Sequence, residues 1–255
     1  MSSAQIRFLS LLRRELSRFL KIKRQTVGAP LLETFLYISV FGAALGSRIR
    51  EIDGIDYVVF IVPGLIMMAW AINAFSNNSS SILQQKFQRA IDDQLSSPAS
   101  PTELLLAFTF GGFLRGLLVA ALTFVAASFL IDIPVEHPLI LLPALFLVGF
   151  FFSQLGVLVG TRAEQFDDVS FAQTFVLQPL IFLGGVFYSA SLLPEPFETI
   201  THLNPVYYMI ALVRYGFLGY ESVPVALSLG VLAAFTLALF LLNRTLFVRG
   251  YKLRA

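Results

Sequence analysis

Six runs of mainly apolar residues alternate with charged or turn-forming stretches along this chain, at 29–47, 57–77, 104–131, 138–161, 169–189 and 223–243. A helix needs about 20 such residues to cross roughly 30 Å of hydrocarbon. The pattern therefore predicts an all-α polytopic membrane protein with six transmembrane helices. An even number of spans places both termini on one side. Ahead of the first span, residues 5–25 form a helix of another kind. Arg7, Arg14, Arg18 and Lys21 recur on one face, and Ile6, Leu9, Leu12, Leu16 and Leu20 line the opposite one. That distribution predicts an amphipathic helix at the membrane interface, which serves either as an anchor to anionic lipid or also as a docking surface for a cytosolic partner.

Between the fifth and sixth spans, residues 191–222 are apolar and aromatic, but Pro194, Pro196 and Pro205 interrupt them too often for another clean crossing. Gly42 and Gly46, Gly112 and Gly116, and Gly156 and Gly160 form small-xxx-small pairs inside expected spans, where helix backbones can approach closely. Packing within one subunit is their expected use. No internal repeat is visible, so the inverted-repeat plan of secondary carriers gains no support.

Composition agrees with the pattern. Of the 255 residues 56% are hydrophobic and 13% charged, against about 25% charged in soluble domains. The formal charge of +2 is too small to indicate a nucleic-acid partner. Without cysteine there is no disulfide framework, thiolate nucleophile or zinc-thiolate site. The basic N-terminal segment lacks an uninterrupted apolar core followed by a cleavage site, so no cleaved signal peptide is expected.

The cations fix the orientation. Fourteen of the 18 Lys and Arg residues fall on the side that holds the two termini: the N-terminal arm, Lys86, Arg89, Arg162, and Arg244, Arg249, Lys252 and Arg254 near the end. Positive residues stay inside, which makes both termini cytoplasmic. Arg48, Arg50 and Arg214 fall outside. Two charges lie within expected spans, Glu33 and Arg115. An unpaired charge at the centre of hydrocarbon costs at least about 2.5–3.5 kcal/mol. Arg115 is accordingly expected to face a polar cavity or an acid, with Glu33 the nearest candidate.

Little in the chain could perform catalysis. His137 and His202, the only histidines, fall on outward loops without metal-ligand spacing. The adjacent pairs Asp92–Asp93 and Asp167–Asp168 diverge by about 100° on a helix and read as contacts or solvated charge. No G-x-x-x-x-G-K-[ST] phosphate loop occurs, so ATP would have to bind another polypeptide. A lipid-modifying membrane enzyme would need a reactive constellation at one face, and an ion channel a filter motif. Neither is present in the sequence.

The loop KFQRAIDDQLSSPASPTELLLA at 86–107 resembles the coupling helix of ABC-2-type export permeases and its exit into the next span. Residues 161–219 are similar to that family's C-terminal signature, through Phe166-Asp167-Asp168, the segment LGGVFY at 183–188, Leu193-Pro194, and Leu203-Asn204-Pro205 followed by Tyr208 and Arg214. The likeness covers nearly the whole chain. It implies one ABC-2-type transmembrane domain, 1–255, in a bacterial inner membrane. The cytoplasmic interfacial helix would occupy 5–25, spans one to five 29–190, the coupling helix the region near 84–98, span six 223–243, and a cytoplasmic tail 244–255.

The resemblance further implies a homodimer, each copy of which binds a separate ATPase subunit, with no cofactor of its own since ATP and magnesium sit in that partner. Residues 191–222 would fold as two short re-entrant helices, a gate carrying Gly184, Gly185, Tyr188, Pro194, Asn204, Pro205, Tyr208 and Arg214. The ATPase would meet the 87–95 helix, where Phe87 and Leu95 share an apolar face with Ala90 and Ile91 between them. Lys86, Arg89, Asp92 and Asp93 would form its polar rim, with Arg14 and Arg18 adding contacts from the arm. The cargo so implied is amphipathic, a glycoconjugate, lipid-linked sugar or polysaccharide, with a drug or antibiotic as the alternative.

Overall fold

The structure, a computed structural model, describes residues 3–21, 26, 28–44 and 49–253. Lys23, Arg24, Gly46, Arg48, Arg254 and the end of the first expected span lie outside the described residues. Eleven α-helices make up the described fold: α1 Ser3–Leu20, α2 Ala29–Ala44, α3 Tyr57–Phe87, α4 Ala90–Leu95, α5 Pro101–Ser128, α6 Pro138–Arg162, α7 Phe166–Phe171, α8 Gln178–Leu183, α9 Phe197–Leu203, α10 Pro205–Leu218 and α11 Val225–Arg249. A π-helical stretch, Ala172–Leu177, joins α7 to α8 without a break in the helical path. Two short strands, β1 Glu51–Ile52 and β2 Ile55–Asp56, pair antiparallel before α3. They turn at Asp53 and Gly54, both at positive φ, as a two-residue hairpin requires.

The architecture is all-α and polytopic. Helices α3, α5, α6 and α11 are each long and apolar enough to cross a membrane, and α2 supplies a shorter apolar helix. Local chemistry starts and stops these helices where they are needed. Asp56 accepts from the Val58 and Val59 amides at the head of α3. Ser100 and Glu103 form a reciprocal capping box ahead of α5, with Pro101 at its first position. Asn204 caps α10 before Pro205, and Gly219, at φ +66°, ends it.

Helix α3 is the spine. It packs along both α5 and α6, α1 lies against α5, α2 against α5 and α3, and α10 and α11 cover α6. Gly112, Gly116, Gly156 and Gly160 serve this packing within the chain. Gly112 leaves room for the Asn78 side chain, and Gly116 and Gly149 together form the slot that holds the Trp70 ring. A β-carbon on Gly160 would stand 2.8 Å from the Ser79 carbonyl oxygen, so α6 meets the α3 backbone directly.

Three elements depart from the sequence expectation. The second span was expected to end at Asn77, yet α3 continues ten residues further, because its polar side chains find partners inside the bundle. The 87–95 helix is divided: Phe87 ends α3, Arg89 takes a left-handed φ of +55°, and α4 begins at Ala90. The fifth run is helical over 166–183 and then unwinds at Gly184 and Gly185, the latter at φ +86°.

Candidate functional site

The end of α3, α4 and the start of α7 form one surface. Phe87 and Phe166 stack with ring centroids 5.4 Å apart, and both are more than half exposed. Arg89 and Asp93 are exposed as well. The inner side of the surface is fixed. Ile91 is fully buried with Ile82, Leu104 and Leu105, and Leu95 packs on that cluster. Lys86, expected on the rim, is buried instead: its ammonium donates to the Thr161 and Ala163 carbonyls at 3.1 and 2.6 Å. It thereby satisfies carbonyls at the end of α6 that have no partner within that helix. Phe87 and Leu95 do not share a face, because the turn at Arg89 separates them. Ala90 and Asp92 are half-buried.

Charges brace the connection from α6 to α7. Asp168 accepts from the Glu164 and Gln165 amides at 2.8 and 3.0 Å and so caps the start of α7. Lys252, beyond α11, pairs with Glu164 at 2.6 Å. That contact lowers the Glu164 carboxyl and raises the Lys252 ammonium.

Behind this surface runs a polar network that sequence reasoning missed. Glu15, 3% exposed, accepts from Ser81 Oγ at 2.7 Å and from Gln85 Nε2 at 3.0 Å. Gln85 Oε1 in turn accepts from Gln94 of α4. Arg18 lies 3.6 Å from Glu15 and donates to both the backbone and side-chain oxygens of Asn77 at 2.8 Å. Asn77 donates to Asn78, and Asn78 to the Ser153 carbonyl of α6. A chain of hydrogen bonds, joined at Glu15 and Arg18 by their ion pair, thus runs from α4 through α1 and α3 to α6. The visible signal was the run Asn77-Asn78-Ser79-Ser80-Ser81 with Gln84-Gln85, too polar for a lipid face and too regular for a loop.

Arg14 is exposed, whereas the Arg18 guanidinium is turned into the bundle. Arg115 and Glu33 do not meet. Thr34, next to Glu33, bonds to Thr123 at 3.4 Å, eight residues and about 12 Å along α5 from Arg115. The charged neighbour of Arg115 is Arg18. Glu33 lines a lateral groove of about 430 Å³ between α2, α3 and the π-helical stretch, with Tyr37, Gln173, Gln178 and apolar Leu36, Val40 and Met68. Phe171 of α7, Phe175 of that stretch and Phe182 of α8 are exposed.

At the opposite end of α3, the unwound segment 184–189 is held by Arg214. Expected outside the membrane, Arg214 is 2% exposed. Its NH2 donates to the Gly185 carbonyl at 2.8 Å and to the Val186 carbonyl at 3.4 Å, its Nε to Phe60 at 3.3 Å, and its guanidinium lies 3.8 Å from the Phe60 ring centroid. Gly64 permits this approach, since a β-carbon there would stand 3.0 Å from the Val186 backbone. Asn204 donates to the Leu180 carbonyl at 2.6 Å, and Gly184 fits beneath Val206 and Ile210. Gly184, Gly185, Asn204, Pro205 and Arg214 are therefore drawn together. Tyr208 instead reaches the His202 carbonyl. Tyr188 lies half-buried beyond the turn, and Pro194 is exposed ahead of α9.

Residues 6–218 match the family described as ABC-2 type transporter. The inner membrane transport permease YadH of Escherichia coli (strain K12) is 43% identical over 243 residues, 95% of this chain and 94% of that protein. Nodulation protein J of Sinorhizobium fredii (strain NBRC 101917 / NGR234) is 28% identical over 203 residues, covering 79% and 78%. Nodulation protein J of Rhizobium meliloti (strain 1021) is 24% identical over 243 residues, covering 95% and 93%.

Proposed function

The chain belongs to the ABC-2 type transporter family, and on that premise we propose that it is the permease subunit of an ATP-driven exporter in an inner membrane. Two copies assemble, each worked by a separate ATPase subunit that binds ATP and magnesium. Six crossings are made by α2, α3, α5, α6, the α7–α8 segment and α11, with both termini cytoplasmic and α9–α10 dipping into the outer leaflet. The chain itself performs no chemistry.

The observation that carries this reading is the stacked Phe87–Phe166 pair, exposed on a surface whose inner side is locked into the bundle. An exposed aromatic pair on a polar rim is what a partner protein covers. Arg89 and Asp93 supply polar contacts around it. Force applied there reaches the bundle through Ile91 and through the Gln94–Gln85–Glu15 contacts, and the bias between inward and outward states comes from the partner. The Glu33 groove supports an amphipathic cargo, such as a glycoconjugate or lipid-linked sugar, because one acid, two carboxamides and a phenol stand among apolar side chains.

Phe87→Asp tests the contact. The side chain is 57% exposed, so the bundle is expected to keep its thermal midpoint. Loss of an interface aromatic costs about 2 kcal/mol, and ATP-dependent transport in reconstituted vesicles should fall by about 10- to 30-fold. Unchanged transport would remove Phe87 from the contact.

A further inference from the structure

Helices α1 and α3 enclose a pocket of about 440 Å³, lined by Arg14, Glu15, Arg18 and Lys21 with Gln84, Gln85 and Gln88. Its charges are unequal in what they have left to offer. Both oxygens of Glu15 are occupied by Ser81 and Gln85, and Arg18 is committed to Asn77 and Glu15. Arg14 and Lys21, both exposed, have no ion-pair partner among the described residues. What remains is an arginine fork, an ammonium and the carboxamides of Gln84 and Gln88. All can donate, the carboxamides through their NH2 groups, and together they match the oxygens of a phosphate.

The depth is that of a headgroup. At 1.5 Å per residue α3 is about 46 Å long, roughly 16 Å more than the hydrocarbon core. Shared between its two ends, the excess sets its last five residues, from Leu83 on, outside the hydrocarbon. Ile6, Leu9 and Leu20 are exposed on the opposite face of α1, so that helix presents both an apolar and a cationic side at this level. We propose that this pocket binds the phosphodiester of an anionic membrane lipid, with Arg14 and Lys21 as its charged ligands. The bound lipid would hold α1 against α3, beside the Gln85 contact to α4. The assignment rests on α3 crossing the membrane and not on the exporter reading.

Native mass spectrometry of the full chain, titrated with phosphatidylglycerol or phosphatidylcholine, tests it. One retained phosphatidylglycerol per chain is expected, with weaker retention of phosphatidylcholine. At about 1 kcal/mol per cation, Arg14→Gln with Lys21→Gln should weaken retention about 30-fold, and Arg14→Lys with Lys21→Arg should restore it. The charge-matched control Arg13→Gln with Arg249→Gln lies off the pocket and should change retention less than about threefold. Equal loss in the two neutralised pairs would mean diffuse attraction to a basic surface and overturn the site. Equal retention of the two lipids would also overturn it, as would displacement of phosphatidylglycerol by millimolar inorganic phosphate, which would identify a site for soluble phosphate.

Discussion

Replacing Arg214 by leucine is expected to destabilise the folded chain by about 2–6 kcal/mol, the cost of leaving two buried carbonyls without a donor. The segment 184–189 leaves α8 through Gly184 and Gly185, so the Gly185 and Val186 carbonyls lack helical partners. Arg214 supplies them, together with a bond to Phe60. Leucine would leave those oxygens unpaired in a buried place, each at about 1–3 kcal/mol. Lysine keeps the charge but lacks the planar fork that reaches several oxygens, and should lose about half as much. Thermal midpoints of the two variants in detergent, with hydrogen exchange at 184–189, check the order. A loss below about 1 kcal/mol for the leucine variant would show that other contacts hold the segment.

Glu15→Ala is expected to cost about 3 kcal/mol and to loosen α1. Ser81, Gln85 and Arg18 would each lose their acidic partner in a buried setting. Glu15→Gln keeps an accepting oxygen and should cost about a third of that. Because Gln85 also accepts from Gln94, protection of α4 amides should fall with that of α1. Limited proteolysis of α1 and exchange at α4 separate the outcomes. Loss at α1 alone would mean that the two helices are not linked through Gln85.

The apolar runs carried the helical architecture, since twenty apolar residues have few other uses. What escaped were pairings between distant positions. Hydropathy ends the second span at Asn77, because nothing nearby shows that Arg18 and Glu15, about sixty residues earlier, will meet the polar side chains. Glu15 itself sits in a basic arm and reads as solvated. Arg214 reads as an outer charge, since the carbonyls that hold it are freed only by the Gly184–Gly185 turn thirty residues before. The break at Arg89 has neither glycine nor proline to mark it. Arg115 and Glu33 were matched by charge alone, and the helix register keeps them apart.

ATP hydrolysis by material purified on the tagged chain from native membranes tests the central claim most directly. The account predicts that an ATPase subunit with a phosphate loop co-elutes in equal copy number, that hydrolysis follows this subunit, and that the chain stripped of it neither hydrolyses ATP nor moves any compound into vesicles. A chain that elutes alone and by itself turns over ATP or transports a solute would contradict it.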